Sequence, residues 1–292
     1  MKVNVVTPSY NQGSFIRRTI ESVAGQSGAE IEHVVLDGGS NDETVSVLES
    51  FGDQIRWVSE KDGGQADAVN RGIAATDGEI IGWLNSDDVY YPGAIASVVD
   101  VFQRHPDVDV VYGMADHIDR EDVAFEAYPS EPWNFDRLLQ TCFICQPALF
   151  FRRSVVQKHG ALDANLNYCM DYEYWLRLGK AGTRFAYIET KLAGSRLYAE
   201  NKTLGSRVKV HAEINDMMKA LFGRVPDRWL WNYAHACVDP QVDRSRTPRW
   251  YSLRLLVAVS RAALKWNGRI SAEMRIHIVD LWRRAQNRSR VD

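Results

Sequence analysis

Apolar positions in the first hundred residues follow two alternating periods. Val3–Val6 and His33–Leu36 are continuous runs of the kind a strand buried on both faces shows, Ile55–Val58 is a shorter mixed run, and Ile80–Leu84 is apolar again. Between these four strands the spacing lengthens. Ile16/Ile20/Val23, Val45/Leu48/Phe51 and Ala66/Val69/Ile73 recur every three to four residues, which predicts helices, and Asp42 stands where a helix N-cap belongs. Strand and helix in alternation imply βαβ units and a mostly parallel central sheet flanked by helices.

The pattern continues with a helix from Pro92 to His105, proline in its first turn and Ile95, Val98, Val99 and Phe102 facing inward, then a strand at Val108–Tyr112. From Gly113 to Tyr198 it is less regular, with a strand at Ala148–Phe151, a helix from Asp171 to Lys180 and strand-like Phe185–Ile188. Beyond Thr203 it turns helical, with Val208, Ala212, Met218, Leu221 and Phe222 inward and Gly223 as a stop. This divides the chain into an α/β half (1–112), a second half of the same domain (113–202) and a helical C-terminal extension (203–292).

Composition excludes several classes. With 292 residues, 45% apolar and 25% charged, the chain can bury a full core and reads as a folded protein rather than a disordered or fibrous one. Met1–Val6 reaches a Thr-Pro turn too early for a secretion signal. The most apolar stretch, Leu253 to Leu264, is interrupted by Arg254 and Arg261, so no membrane span is expected. Four cysteines make no disulfide framework and suit a reducing cytoplasm; Cys142-Phe143-Ile144-Cys145 has CxxC spacing, but no second pair completes a zinc site. Neither a GxGxxG fingerprint nor a GxxxxGK[ST] loop occurs.

Charge is unevenly distributed. Residues 249–292 carry +7 and residues 1–248 carry −10. In the basic end, Leu255, Leu256, Val259, Ala262, Ala263 and Trp266 share one helix face and Arg254, Arg261 and Lys265 another; Ile270, Met274, Ile278, Leu281 and Trp282 repeat the theme against Arg275, Arg283 and Arg284. Such helices suit peripheral contact with an anionic inner leaflet, with packing on the domain or a homodimer as the other uses of that face. The acidic body argues against nucleic acid.

The chemistry collects after the strands. Thr7–Asn11 follow the first, Asp37-Gly38-Gly39-Ser40 the second, Glu60-Lys61-Asp62-Gly63-Gly64 the third and Asn85-Ser86-Asp87-Asp88 the fourth. Ligands on open α/β sheets bind beyond the carboxyl ends of the strands. Carboxylates gathered there require a cation, water or donors in compensation, and oxygen ligands suit Mg²⁺ or Mn²⁺ completed by substrate phosphates. Each Asp alone could instead cap a turn or helix, which is the reading taken for Asp42.

Thr7-Pro8-Ser9-Tyr10-Asn11, Asp37 to Asp42, Asn85 to Asp88 and Met170-Asp171-Tyr172-Glu173-Tyr174-Trp175-Leu176-Arg177 resemble family 2 glycosyltransferases of the GT-A fold, over residues 3–200. The resemblance implies an inverting transferase that moves a sugar from a nucleoside diphosphate to the hydroxyl of a sugar or lipid-linked glycan acceptor, in cell-surface polysaccharide or glycolipid assembly at the inner face of the membrane. It implies that Pro8, Tyr10, Asp37 and Asp62 meet the nucleoside, that Asn85 and Asp87 meet the donor, that Asp87 and Asp88 hold Mn²⁺ or Mg²⁺, and that Asp171 is the catalytic base. Three positions depart from the family pattern. Val69-Asn70 replaces an Arg-Asn pair, with Arg71 displaced by one; Asn85 replaces an Asp; and Leu197-Tyr198 follows Arg196 where relatives carry a histidine, with Lys202 available to phosphate. A nucleotidyltransferase making a sugar nucleotide and a non-catalytic nucleotide-sugar-binding protein are the rival readings.

Overall fold

The structure is a computed structural model that describes residues 1–198 and 205–287, with side chains to Arg283. Contacts gather the chain into two compact units, Met1–Tyr198 and Ala199–Asp292.

The first unit opens with the expected alternation: β1 (Lys2–Ser9), α1 (Gly13–Ala24), β2 (Glu30–Asp37), α2 (Thr44–Glu49), β3 (Arg56–Ser59), α3 (Gln65–Ala74) and β4 (Ile80–Trp83). After it come β5 (Val89–Tyr90), α4 (Ala94–Arg104), β6 (Val110–Ile118), β7 (Ala124–Ala127), α5 (Phe135–Leu138), β8 (Leu149–Arg152), α6 (Arg153–His159), α7 (Met170–Lys180) and β9 (Phe185–Arg196). The strands form one sheet in the order β3-β2-β1-β4-β8-β6-β9-β5, with β7 added on β6. Pairs from β3 to β4 are parallel, β4–β8 and β8–β6 are antiparallel, and β6–β9 is parallel again.

Runs read as continuously apolar are the ones buried on both faces: Val3, Val5, Val6, Ile80 and Ile81 are inaccessible to solvent, and α4 seals one side with Ile95, Val98, Val99 and Phe102. On another face Ile16, Ile20, Val35 and Leu48 form a smaller cluster. The close approach of α3 requires Gly72, where an added Cβ would lie 2.4 Å from Val6 Cγ1 and 2.8 Å from Leu36 Cδ2.

Several elements differ from the pattern-based reading: β5, β7, α5 and α6 have no counterpart in it, β6 runs on to Ile118 instead of ending at Tyr112, and β9 and α4 have other bounds. Strand β9 runs on to Arg196 instead of ending at Ile188, because its polar middle is compensated by pairing: Lys191 Nζ lies 2.8 Å from Asp116 on β6. Helix α4 starts after Gly93, which takes the left-handed conformation at φ 81°, so Pro92 precedes the helix rather than opening it.

The second unit contains α8 (Arg207–Phe222), α9 (Asp227–Val238), α10 (Pro248–Asn267) and α11 (Ala272–Asn287). Its interior includes Met218, Leu230, Val259, Ala263 and Met274, while Val208, assigned inward from sequence, is exposed. Among the described residues no helix is long and apolar enough to cross a membrane.

Candidate active site

Three loops meet where the parallel order reverses between β1 and β4, and side-chain hydrogen bonds join them. The amide of Asn11 donates to Ser40 Oγ at 2.7 Å, and the Asn41 amide donates back to Asn11 Oδ1 at 2.9 Å. The Asp42 carboxylate accepts the Thr44 amide at 2.9 Å and the Gly13 amide at 3.1 Å, so it ties together the first residues of α2 and α1, although the N-cap position of α2 falls one residue later, at Glu43. Burial would raise its pKa, but these hydrogen bonds prevail and hold it below the ordinary range.

Asp37, at the end of β2, is 2% exposed. It accepts from the Gly39 amide (3.2 Å), the Ser40 amide (2.9 Å), the Ser40 hydroxyl (2.5 Å) and the Ser59 hydroxyl (2.6 Å). Asp62, half-buried after β3, faces the same turn: a Cβ on Gly38 would lie 3.0 Å from its carboxylate. Pro8 is buried within β1, pairing with Leu36, and Tyr10 beyond it is 59% exposed.

The block after β4 is held from several sides. The Thr19 hydroxyl of α1 lies 2.9 Å from the Ser86 carbonyl and 2.8 Å from that of Asp88. Asn85 Oδ1 accepts from Gln65 Nε2 (2.8 Å) and Trp83 Nε1 (3.0 Å), while its amide donates to Gln146 Oε1 (2.8 Å) and Asp88 Oδ2 (3.2 Å). The Asn85 oxygen is therefore spent on positioning. Asp88 is 3% exposed and accepts the Arg196 amide at 2.8 Å. Burial and the adjacent Asp87 charge push its carboxyl well above the ordinary range. Burial also pushes Asp87 up, against the hydrogen bond that the Tyr198 hydroxyl donates to its Oδ2 at 3.0 Å. Burial and Asp87 together push the Tyr198 phenol up to about 12.

Asp171 lies in the first turn of α7, where the helix dipole favours a carboxylate, and it accepts the following Tyr172 amide at 2.7 Å. Its charge reaches the same place as that of Asp88: burial pushes the Cys145 thiol well up, and both carboxylates add to the shift. Cys145 directly precedes Gln146, the partner of Asn85. The sheet thus brings Pro8, Asp37, Asp62, Asn85, Asp87 and Asp88 to one rim, with Asp171 close enough to act on the residue behind it.

The departures acquire structural reasons. Val69 is fully buried, and Arg71 pairs with Glu60. Tyr198 meets Asp87 directly. Lys202 lies outside the described residues. Among the described residues no group of three or more His, Cys, Asp or Glu is arranged to hold a metal ion. Two adjacent, under-compensated carboxylates nevertheless fit a cation of the Mg²⁺ class, which takes one or two carboxylates and fills its shell with water and phosphate.

The fully buried Arg196 escaped the sequence reading except as a landmark. Its Nε donates to the Asp87 carbonyl at 2.7 Å, its Nη1 to the Asp119 carbonyl and its Nη2 to Asp122, and its guanidinium carbon lies 4.8 Å from the Phe15 ring centroid. Gln65 and Gln146 were missed as partners of Asn85. Only the isolated arginine at a strand end gave any signal, since such a charge is buried only when paired.

Residues 4–160, more than half of the chain, match the family described as glycosyl transferase family 2. The chain belongs to that family. A glycosyltransferase of Rickettsia prowazekii (strain Madrid E) is 29% identical over 214 residues, 69% of this chain and 65% of that one. The chondroitin synthase of Escherichia coli is 26% identical over 205 residues, 69% of this chain and 30% of that one. The chain thus spans less than two thirds of the length of these family 2 relatives. Among solved structures, S. aureus TarS 1-349 in complex with UDP-GlcNAc superimposes with a TM-score of 0.62 at 15% identity, over 99% of this chain and 92% of that one. The mannosyltransferase PcManGT from Pyrobaculum calidifontis in complex with GDP-Man and Mn²⁺ gives 0.59 at 17% identity, over 97% and 85%. The fold is that of the GT-A glycosyltransferases.

Proposed function

We propose that the protein is an inverting, metal-dependent glycosyltransferase that moves a sugar from a nucleoside diphosphate to an acceptor hydroxyl in cell-surface polysaccharide or glycolipid assembly. The observation that carries this reading is the adjacent Asp87–Asp88 pair at the strand switch point, Asp88 buried and Asp87 half-buried, with Tyr198 donating to Asp87 and the Arg196 amide to Asp88. Pro8, Tyr10, Asp37 and Asp62 line the nucleoside end, and Asn85 and Asp87 the donor end. Asp87, aided by Asp88, would hold Mn²⁺ or Mg²⁺, which when bound offsets charge on the departing diphosphate. Asp171 takes the proton of the acceptor hydroxyl as that oxygen bonds to the anomeric carbon; the carbon–oxygen bond to the diphosphate breaks on the opposite face, inverting the configuration.

Replacing Asp171→Asn tests the base. Transfer should fall by roughly 10²–10⁴-fold with nucleotide affinity unchanged; full transfer in the variant would remove the assignment. The donor is found by thermal shift with Mn²⁺ over UDP- and GDP-linked sugars, the classes bound in the two structural neighbours. Release of pyrophosphate from a nucleoside triphosphate would favour the nucleotidyltransferase instead, and binding without transfer would favour the non-catalytic reading.

We further propose a cytoplasmic enzyme whose residues 249–292 rest on an anionic inner leaflet, near a lipid-linked acceptor. Exposed Trp250, Leu253, Val257 and Leu264 on α10 and Ile276, Val279 and Trp282 on α11, within a segment of charge +7, support this. Sedimentation with vesicles containing phosphatidylglycerol should be lost on truncation after Pro248. Vesicle binding unchanged by truncation, or self-association without vesicle binding, would overturn it.

A further inference from the structure

Three hydrogen bonds close a ring at the end of β4. Gln146 Nε2, in the turn that leads into β8, donates to the Trp83 carbonyl at 2.5 Å, and Gln146 Oε1 accepts from Asn85 Nδ2 at 2.8 Å. Asn85 Oδ1 then accepts from Trp83 Nε1 at 3.0 Å. A side-chain amide can turn either end toward a partner, so two amides in a row leave the sense of such a ring open. Trp83 settles it from both sides. Its carbonyl only accepts and its indole N–H only donates, so Gln146 has to offer nitrogen to the first and Asn85 oxygen to the second.

This sense fills Asn85 completely. Its second lone pair takes Gln65 Nε2 at 2.8 Å, and its second N–H reaches Asp88 Oδ2 at 3.2 Å. With both lone pairs and both N–H groups engaged, Asn85 keeps no hydrogen bond for a ligand and acts on the site through Asp88. We propose that Gln146 is a positioning residue for the cation: by taking one N–H of Asn85 it turns the other onto Asp88, and so holds that carboxylate in place beside Asp87. The Arg196 amide, at 2.8 Å, fixes the other oxygen of Asp88. An aspartate at position 85 would set oxygen against both Gln146 Oε1 and Asp88 Oδ2, so the ring requires the amide that this chain carries.

This inference rests on the reading of Asp87 and Asp88 as a cation site, and the experiment separates the two. Calorimetry gives the factor by which Mn²⁺ raises the affinity for UDP and for GDP, alongside the metal-free melting temperature. The proteins compared are the unaltered chain, Gln146→Met, Asn85→Ala and the double variant, with Gln146→Ala in place of Gln146→Met should methionine prevent folding. Gln146→Met should reduce the Mn²⁺ factor by about tenfold or more, as loss of a group that orients a metal ligand does. The double variant should lose no more than Asn85→Ala alone, since both residues act through one bond to Asp88. A Mn²⁺ factor unchanged in Gln146→Met, whatever its melting temperature, or losses that multiply in the double variant, would overturn the role of Gln146. If Mn²⁺ raises neither affinity in the unaltered protein, the cation reading falls and takes this role with it.

Discussion

Asp37 ends β2 and Asp88 follows β4, the two strands that flank β1, and they are almost equally buried, at 2% and 3% exposure. Their surroundings differ. Asp37 accepts from four donors held in its own turn and on Ser59, whereas the hydrogen bonds to Asp88 come from the Arg196 amide and the Asn85 side chain, with the Asp87 charge beside it. Burial alone thus does not make a carboxylate reactive. The four hydrogen bonds to Asp37 shape the loop on which its proposed nucleoside contact depends; fewer donors reach the adjacent Asp87 and Asp88, which supports the cation proposed there.

That contrast can be broken most sharply at Asp87. Asp87→Asn should abolish most of the gain in nucleoside diphosphate affinity produced by Mn²⁺, a loss of about a hundredfold read by calorimetry with and without the ion. An intact Mn²⁺ effect would move the cation site elsewhere. At Asp37 the expected change is in folding: Asp37→Asn sets an amide donor against the Ser40 and Ser59 donors and should cost about 1–3 kcal/mol in urea unfolding. A neutral outcome would mean the turn does not depend on that charge.

Asp88 should show the opposite sign. Its folded pKa lies above the unfolded one, so the unfolded chain gives up its proton first, and ionisation destabilises the fold as pH rises from the ordinary carboxyl range toward the folded value. Relative to Asp88→Asn, the cation-free protein should therefore lose stability over that rise and regain it with Mn²⁺. Stability curves that stay parallel across pH would remove the claim of an under-compensated pair. The smallest effect belongs to Arg71→Ala: its pair with Glu60 lies at the surface, so stability should change by less than about 1 kcal/mol and diphosphate binding not at all.

The parallel half was legible because β1, β2 and β4 are buried over most of their length and so read as largely apolar runs, as with Val3–Val6 around the buried Asn4 and with Ile80–Ile81, whereas the partly exposed β3 showed only as a mixed run. Strand β9 was cut short in the reading because the polar Glu189, Thr190 and Lys191 break the apolar run, and only the fold shows Lys191 paired opposite Met114 with its ammonium on Asp116. Helix α10 shows both sides of the same limit. Its inner face of Leu255, Val259, Ala262, Ala263 and Trp266 followed from period, but that Trp250, Leu253, Val257 and Leu264 stay exposed did not, since period says which residues share a face and not what covers it.

By itself, the amino-acid order determined the alternation of strands and helices, and with it the end of the sheet at which acidic loops must emerge, because backbone pairing and apolar periodicity are local properties. Only the tertiary structure decided which of those acids are already satisfied. Hydrogen-bond donors such as Ser59 to Asp37, Tyr198 to Asp87 and the Arg196 amide to Asp88 come from distant parts of the chain, and the charge state of a buried carboxylate depends on how many of them arrive.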